Sequence, residues 1–262
     1  EYSDFGLIRL DQDYIITSDR KIAGLSYSND QIYSWTGAPY LKLLIISDQF
    51  GSKPLSEAKV IDELNNRYQN GSAVYDAVNN ILYFTRTKVV KVSKRPVNND
   101  PTSWYDYSAS GNYINRLEIF SAKYENGKWK NIEPFEYNDP ERYSVGHPAI
   151  STDGKILYFA SDKDGGYGSS DIYYCEKQID GQWGEPINAG YRINSAGKEV
   201  FPYIDKNNKL YFSSDGWQGM GGLDLFVAEG SKSNWSVPEN LKYPLNSAKD
   251  DFSIFYYKDS ES

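Results

Sequence analysis

Hydrophobic residues in this chain come in short bursts separated by turn residues. ILYFTR (81–86), ILYFAS (156–161) and KLYFSS (209–214) are three of them. Each has a turn string just before it, such as TDGK or KNN, and a second apolar burst after it, such as DIYYCEK (171–177) or DLFVAE (224–229). Bursts of this length, rich in aromatic and β-branched residues and bounded by Gly, Asn and Asp, predict strands joined by tight hairpins.

The bursts repeat. Residues 146–190 and 200–241 are two copies of one unit, with Pro148 and Pro202 54 apart, Tyr158 and Tyr211 53 apart, and Trp183 and Trp235 52 apart. Upstream, 72–86 matches the first half of the unit and 115–135 the second, with an insertion at 87–114 between them. The segments 2–19 and 39–48 form a diverged copy, and DDFSIFYY (250–257) reads as the opening strand of another. Four strands per unit, here called a to d, at a period of 40–55 residues are the signature of a propeller.

The expected fold is therefore all-β: one β-propeller domain, 1–262, of four-stranded antiparallel blades. It is expected to be five-bladed, with the last blade incomplete. Blades 1 to 4 span about 2–64, 71–139, 143–192 and 198–246, and blade 5 begins at about 250–258. Six blades are the runner-up. Two β-sandwiches would not explain a fixed period carrying Tyr, Asp and Trp in phase.

Composition agrees. Among 262 residues there are 24 Tyr, 6 Trp, 21 Gly and 11 Pro, which suits half-buried strands and many turns. A net charge of −8 argues against nucleic acid as a partner and otherwise reads as ordinary solubility. No run of 18 apolar residues offers a membrane span. Glu1 is not a native start, so the chain reads as a segment of a longer or processed protein. With one Cys (Cys175) and one His (His147), an intrachain disulfide is impossible and a Cys/His zinc site is disfavoured. No cofactor or metal is expected.

Asp162-x3-Gly166-x-Gly168-x2-Asp171 recurs as Asp215-x3-Gly219-x-Gly221-x2-Asp224 across the b–c connections. It has some likeness to a calcium loop, but acids thin out where ligands are needed, and a turn capped by Asp with Gly at positive φ is the preferred reading. Trp129, Trp183 and Trp235 follow the c–d turns in regular phase and are expected to pack between blades. Asp4, Asp76, Glu199, Asp250 and Asp251 lie near ends of a strands, where some propeller enzymes place an acid and a base. They do not share one position, and a non-enzyme is expected. The d–a and b–c connections are long and aromatic, as in YSWTG (33–37), WYDY (104–107), YSVGH (143–147) and DGWQGMGG (215–222). Trp35, Trp104, Tyr105, His147 and Trp217 are the candidate partner-binding residues, His147 near the axis and the others as anchors.

YSVGHPAISTDGKILYFASDKDGGYGSSDIY and FPYIDKNNKLYFSSDGWQGMGGLDLF, with EYSDFG and YSWTG, resemble the WD-repeat-like propeller domain of Bacteroidota OmpA-family outer-membrane lipoproteins, associated with type IX secretion and gliding motility. The likeness covers nearly the whole chain and is strongest over 143–227; the first unit departs from it in lacking the d-strand Trp. The resemblance implies a non-catalytic scaffold in the periplasm, held at the outer membrane and on peptidoglycan by separate domains. Its partners would be envelope proteins of the secretion or motility machinery. The alternative is a carbohydrate-active enzyme or a glycan- or peptide-binding receptor.

Overall fold

The computed structural model describes residues 3–10, 13–22, 28, 31–33, 37–47, 57–92 and 112–254. Four antiparallel sheets follow one another along the chain. The first is β1 (Asp4–Leu10), β2 (Asp13–Ser18), β3 (Lys42–Ser47) and β4 (Lys59–Val60); the second is β5 (Asn70–Asp76), β6 (Ile81–Lys91), β7 (Tyr113–Glu125) and β8 (Lys128–Pro134). The third is β9 (Val145–Ile150), β10 (Ile156–Ser161), β11 (Asp171–Glu176) and β12 (Ile187–Asn188). The fourth is β13 (Glu199–Ile204), β14 (Lys209–Ser214), β15 (Asp224–Ser231), β16 (Asn234–Trp235) and β17 (Glu239–Asn240), with β16 and β17 both on β15.

In each sheet the first strand is innermost. β1 lies beside β5, β5 beside β9, and β9 beside β13, so the sheets stand radially as blades. The protein is a β-propeller with four blades in place. Residues 250–254 pair into no strand among the described residues, yet they bond as an inner strand does: Asp251 N–H donates to Leu223 O as Glu199 N–H donates to Ser170 O. The expected fifth opening strand runs on to 257, and its last residues lie outside the described ones.

The core sits between blades. One apolar cluster joins Leu10, Ile15 and Leu43 of the first blade to Leu82, Phe84 and Trp129 of the second. Another joins Tyr83 and Ile119 to Leu157, Phe159 and Cys175. A third joins Tyr158, Ile172 and Tyr174 to Leu210, Phe212, Phe226 and Trp235. A single sheet cannot cover both of its faces, so the second and third blades each bury one face on the blade before and one on the blade after, while Ile16, Leu44 and Ile46 cluster on the first blade's other face. The three phased Trp residues serve this packing. Trp235 sits edge-on to Tyr158 of the preceding blade at 5.9 Å, and Trp183 to Tyr83 at 6.0 Å.

The outermost strands are shorter than the repeat suggested, two residues each in β4, β12, β16 and β17. Pro186 and Pro238 lie just before β12 and β17. Proline cannot donate to the ladder, so the edge is interrupted there. Among the described residues no helix is long and apolar enough to cross a membrane.

Candidate functional site

Antiparallel blades put the d–a and b–c connections at one end of the propeller and the a–b and c–d turns at the other. Eleven large hydrophobic side chains are exposed among the described residues, and seven of them crowd the first end: Tyr113, Tyr167, Tyr191, Met220, Tyr243, Leu245 and Phe252. Only Val78 and Ile179 mark the opposite end; Ile187 and Val237 lie on the outer edge.

Three of the five candidate partner-binding residues, Trp35, Trp104 and Tyr105, lie outside the described residues. Trp217 is at the expected end but is half-buried against the core between the third and fourth blades. Its indole N–H donates to Ile193 O at 2.9 Å, so this side chain ties the loops of its own face together. The 87–114 insertion begins as a strand pair: β6 and β7 stay in register out to Lys91 and Tyr113.

His147 is set deeper, as the third residue of β9, at φ 54°. Its ring stacks on Phe201 at 3.9 Å and 15°, and Phe201 stacks in turn on Phe252 at 4.9 Å. The Nδ1 atom is buried without a hydrogen-bonding partner, and burial pulls the imidazole pKa down to about 4. His147 and Phe201 help line a cavity of 360 Å³ around the axis. The cavity wall runs from them to Arg9, Asp76, Ala77, Ser151 and Thr152, at the a–b turns, so it reaches the end opposite the exposed aromatics.

No protein-family model and no curated protein matches the chain. Solved structures do. A Dyadobacter fermentans protein of unknown function matches with a TM-score of 0.50 at 8% identity, over 92% of this chain and 70% of its own. TolB from Acinetobacter baumannii matches with a TM-score of 0.43 at 12% identity, over 79% of this chain and 38% of its own. An α-L-arabinofuranosidase from Podospora anserina matches with a TM-score of 0.46 at 12% identity, over 90% of this chain and 66% of its own. This chain thus spans less than two thirds of the TolB and arabinofuranosidase chains. At such identities the likeness is one of fold alone.

The carboxylates singled out by their position have local work. Asp4 accepts from Ser18 Oγ at 2.6 Å and pairs with Arg20; burial pushes its carboxyl up, but these partners outweigh it and the pKa ends below its ordinary value. Asp76 accepts from the N–H groups of Val78 and Asn79 at 3.0 and 3.1 Å, closing the a–b turn. Glu199 is fully buried and accepts from Ser195 N–H, Ser195 Oγ and Ser214 Oγ at 2.8, 2.6 and 2.6 Å, while burial pushes its pKa up. Asp251 accepts from Ser247 N–H at 2.6 Å and Asp250 from Leu223 N–H at 2.9 Å. Of the five, Asp76 alone lines the axial cavity.

In the repeated Asp and Gly loops the aspartates cap turns as expected, but Gly166, Gly168, Gly219 and Gly221 do not stand at positive φ; they make room, since a side chain there would strike Asp171, Gly197 O, Asp224 and Lys249 O. Asp171 accepts from the N–H groups of Tyr167 and Gly168 at 2.6 and 3.0 Å, and Asp224 from those of Met220 and Gly221 at 2.9 and 3.0 Å. Among the described residues no group of three or more His, Cys, Asp or Glu is placed to hold a metal ion.

One repeated device escaped the sequence reading. Asn65, Asn138, Asn194 and Asn246 each clip the backbone of a c strand with both ends of the side-chain amide. Asn194 Oδ1 accepts from Ile172 N–H at 2.8 Å while its Nδ2 donates to Ile172 O at 3.0 Å; Asn246 does the same on Leu225, Asn138 on Ile119 and Asn65 on Leu43. The 52-residue spacing of the NSA strings at 194 and 246 was the available signal.

Proposed function

We propose that this chain is a non-catalytic docking module whose d–a and b–c loop face binds another protein. The observation that carries it is the gathering of seven of the eleven exposed large hydrophobics on that face. Exposed apolar clusters rimmed by polar residues mark interaction surfaces, and Tyr is among the side chains that concentrate binding energy. The local hydrogen bonds of Asp4, Glu199, Asp250 and Asp251 favour this reading over a pair of catalytic acids. The compartment rests on the resemblance of the repeat strings: a periplasmic scaffold held at the outer membrane through other domains, engaging secretion or gliding components.

Site-specific photocrosslinking in the native envelope tests the face. A benzophenone amino acid at Tyr167, Tyr191 or Trp35 is expected to capture one common adduct, and the same group at Ile179 or Val78 to capture none. Adducts confined to Ile179 and Val78 would mean the docking face is the other one. Glycan hydrolysis lost on Glu199→Gln in a folded protein would replace the scaffold reading with an enzyme.

A further inference from the structure

The inner strands share one backbone irregularity. The third residue of each stands at positive φ: Gly6 at 65°, Ser72 at 34°, His147 at 54° and Phe201 at 51°, and Ser253 follows in the segment 251–254 at 62°. The pairing of each inner strand with its neighbour shifts register at this point. A bulge of this kind re-aims a side chain. Phe201 at positive φ is strained for a bulky residue, and such strain persists where the surroundings over-determine it.

The re-aimed positions form a ring about the axis. A side chain at Gly6 would come within 3.8 Å of Ser253 Oγ and 3.9 Å of Ser72 Cα. Thr85 Oγ1 lies 3.5 Å from Ser72 Oγ and accepts from His147 N–H at 3.0 Å. His147 stacks on Phe201. Toward the docking face, Phe5 and Phe252 pack on Phe201 at 6.0 and 4.9 Å and cover the ring. Toward the other face lies the 360 Å³ cavity, with Leu7, Val74, Pro148, Pro202 and Ile254 on its walls.

Ligand pockets begin at roughly 300 Å³, and a benzene-sized cavity is about 150 Å³. The space suits a flat group of up to two fused rings. Aliphatic side chains predominate next to the floor, and the two charged residues of the lining, Arg9 and Asp76, stand at the mouth, where each is already engaged within the protein. We propose that the axial cavity is a binding site for an uncharged aromatic group of one or two fused rings, seated on the His147–Phe201 floor. It enters from the a–b turns, so this site is separate from the docking face. The group is either a free small molecule or the aromatic side chain of a partner.

His147 is the only histidine, so its imidazole proton resonances are assigned without mutagenesis. Titration with indole, with N-acetyl-tryptophanamide and with indole-3-acetate, followed by NMR, tests the site. Saturable shifts of the His147 signals with indole are expected, at least tenfold weaker with indole-3-acetate. Matching shifts with N-acetyl-tryptophanamide assign the site to a partner's side chain; shifts with indole alone assign it to a free molecule. Ser253→Phe should weaken indole binding at least tenfold, because Phe201 shows that the matching position, at nearly the same φ, accepts a phenyl ring. Ala77→Trp, at the exposed mouth, is the second blocking variant should Ser253→Phe misfold. No saturable shift with either neutral probe, undiminished binding in the folded blocking variant, or equal binding of indole-3-acetate would overturn the proposal.

Discussion

At the scale of the residue, His147 and the clipping asparagines show how a blade sets a side chain's chemistry. Burial favours the neutral imidazole and lowers its pKa from an ordinary 6.5 to about 4. Between those values the unfolded chain binds a proton that the folded chain does not. Stability is therefore full above pH 6.5 and falls as the pH drops to 4, by up to roughly 3 kcal/mol. Urea melts from pH 7 to 4 should show this loss. His147→Asn, whose side chain tolerates positive φ, should remove the part of the slope that lies between pH 6.5 and 4. Asn194 is buried and satisfies both backbone groups of Ile172. Asn194→Ala strands them, costing about 2–3 kcal/mol and lowering the melting midpoint by about 5–10 °C; Asn194→Asp, which keeps only the acceptor, should fall in between.

At the scale of the element, the hairpin β6–β7 differs from its counterparts. β10–β11 and β14–β15 pair over one blade height, whereas β6–β7 runs on to Lys91 and Tyr113. Val90 on this extension is buried, so the ribbon is packed at its base. Replacing 93–111 by a two-residue turn should leave the β-sheet circular dichroism and the melting midpoint unchanged. If the 87–114 insertion supplies anchors, crosslinking from Tyr167 should weaken; an unchanged yield would remove it from the interface. The strand β11 carries Cys175, buried between the second and third blades, its thiol pushed up to about 12 first by burial and then by Glu136 and Glu185. A thiol that stays protonated and shielded does not react. Ellman's reagent should leave it untouched in the native protein and modify it at the rate of unfolding.

At the scale of the whole molecule, stability is shared through faces between blades. Trp235 is 3% exposed and belongs to a cluster drawn from both the third and fourth blades. Trp235→Ala should cost about 3–5 kcal/mol and loosen both blades together. Calorimetry should show one broadened or lowered transition; a separate early transition of the fourth blade alone would mean that blades unfold independently. The two ends of the axis also differ: aromatics cap one and a cavity opens at the other, so one molecule presents two unlike surfaces.

The propeller was legible from the chain's residue pattern alone. Strand bursts bounded by turn residues and recurring with Tyr, Asp and Trp in phase leave few other ways to bury every face, and the Trp positions between blades follow from that phase. The Asp caps were legible because their hydrogen bonds join residues four apart or fewer, whereas the glycines beside them were read for positive φ and instead make room for close neighbours, such as Gly197 O beside Gly168. Tertiary structure decided the rest. Trp217 reads as an exposed loop aromatic until Ile193, 24 residues away, accepts its N–H. The asparagine clips span about 20 residues of chain and leave only a faint repeat in the sequence. The ring of Gly6, Ser72, His147, Phe201 and Ser253 draws on four residue types and has no common side chain for the sequence to show. What unites these five is a positive φ, which in the four paired strands falls at a bulge, and a bulge is set by the pairing of strands rather than by the side chain that sits on it.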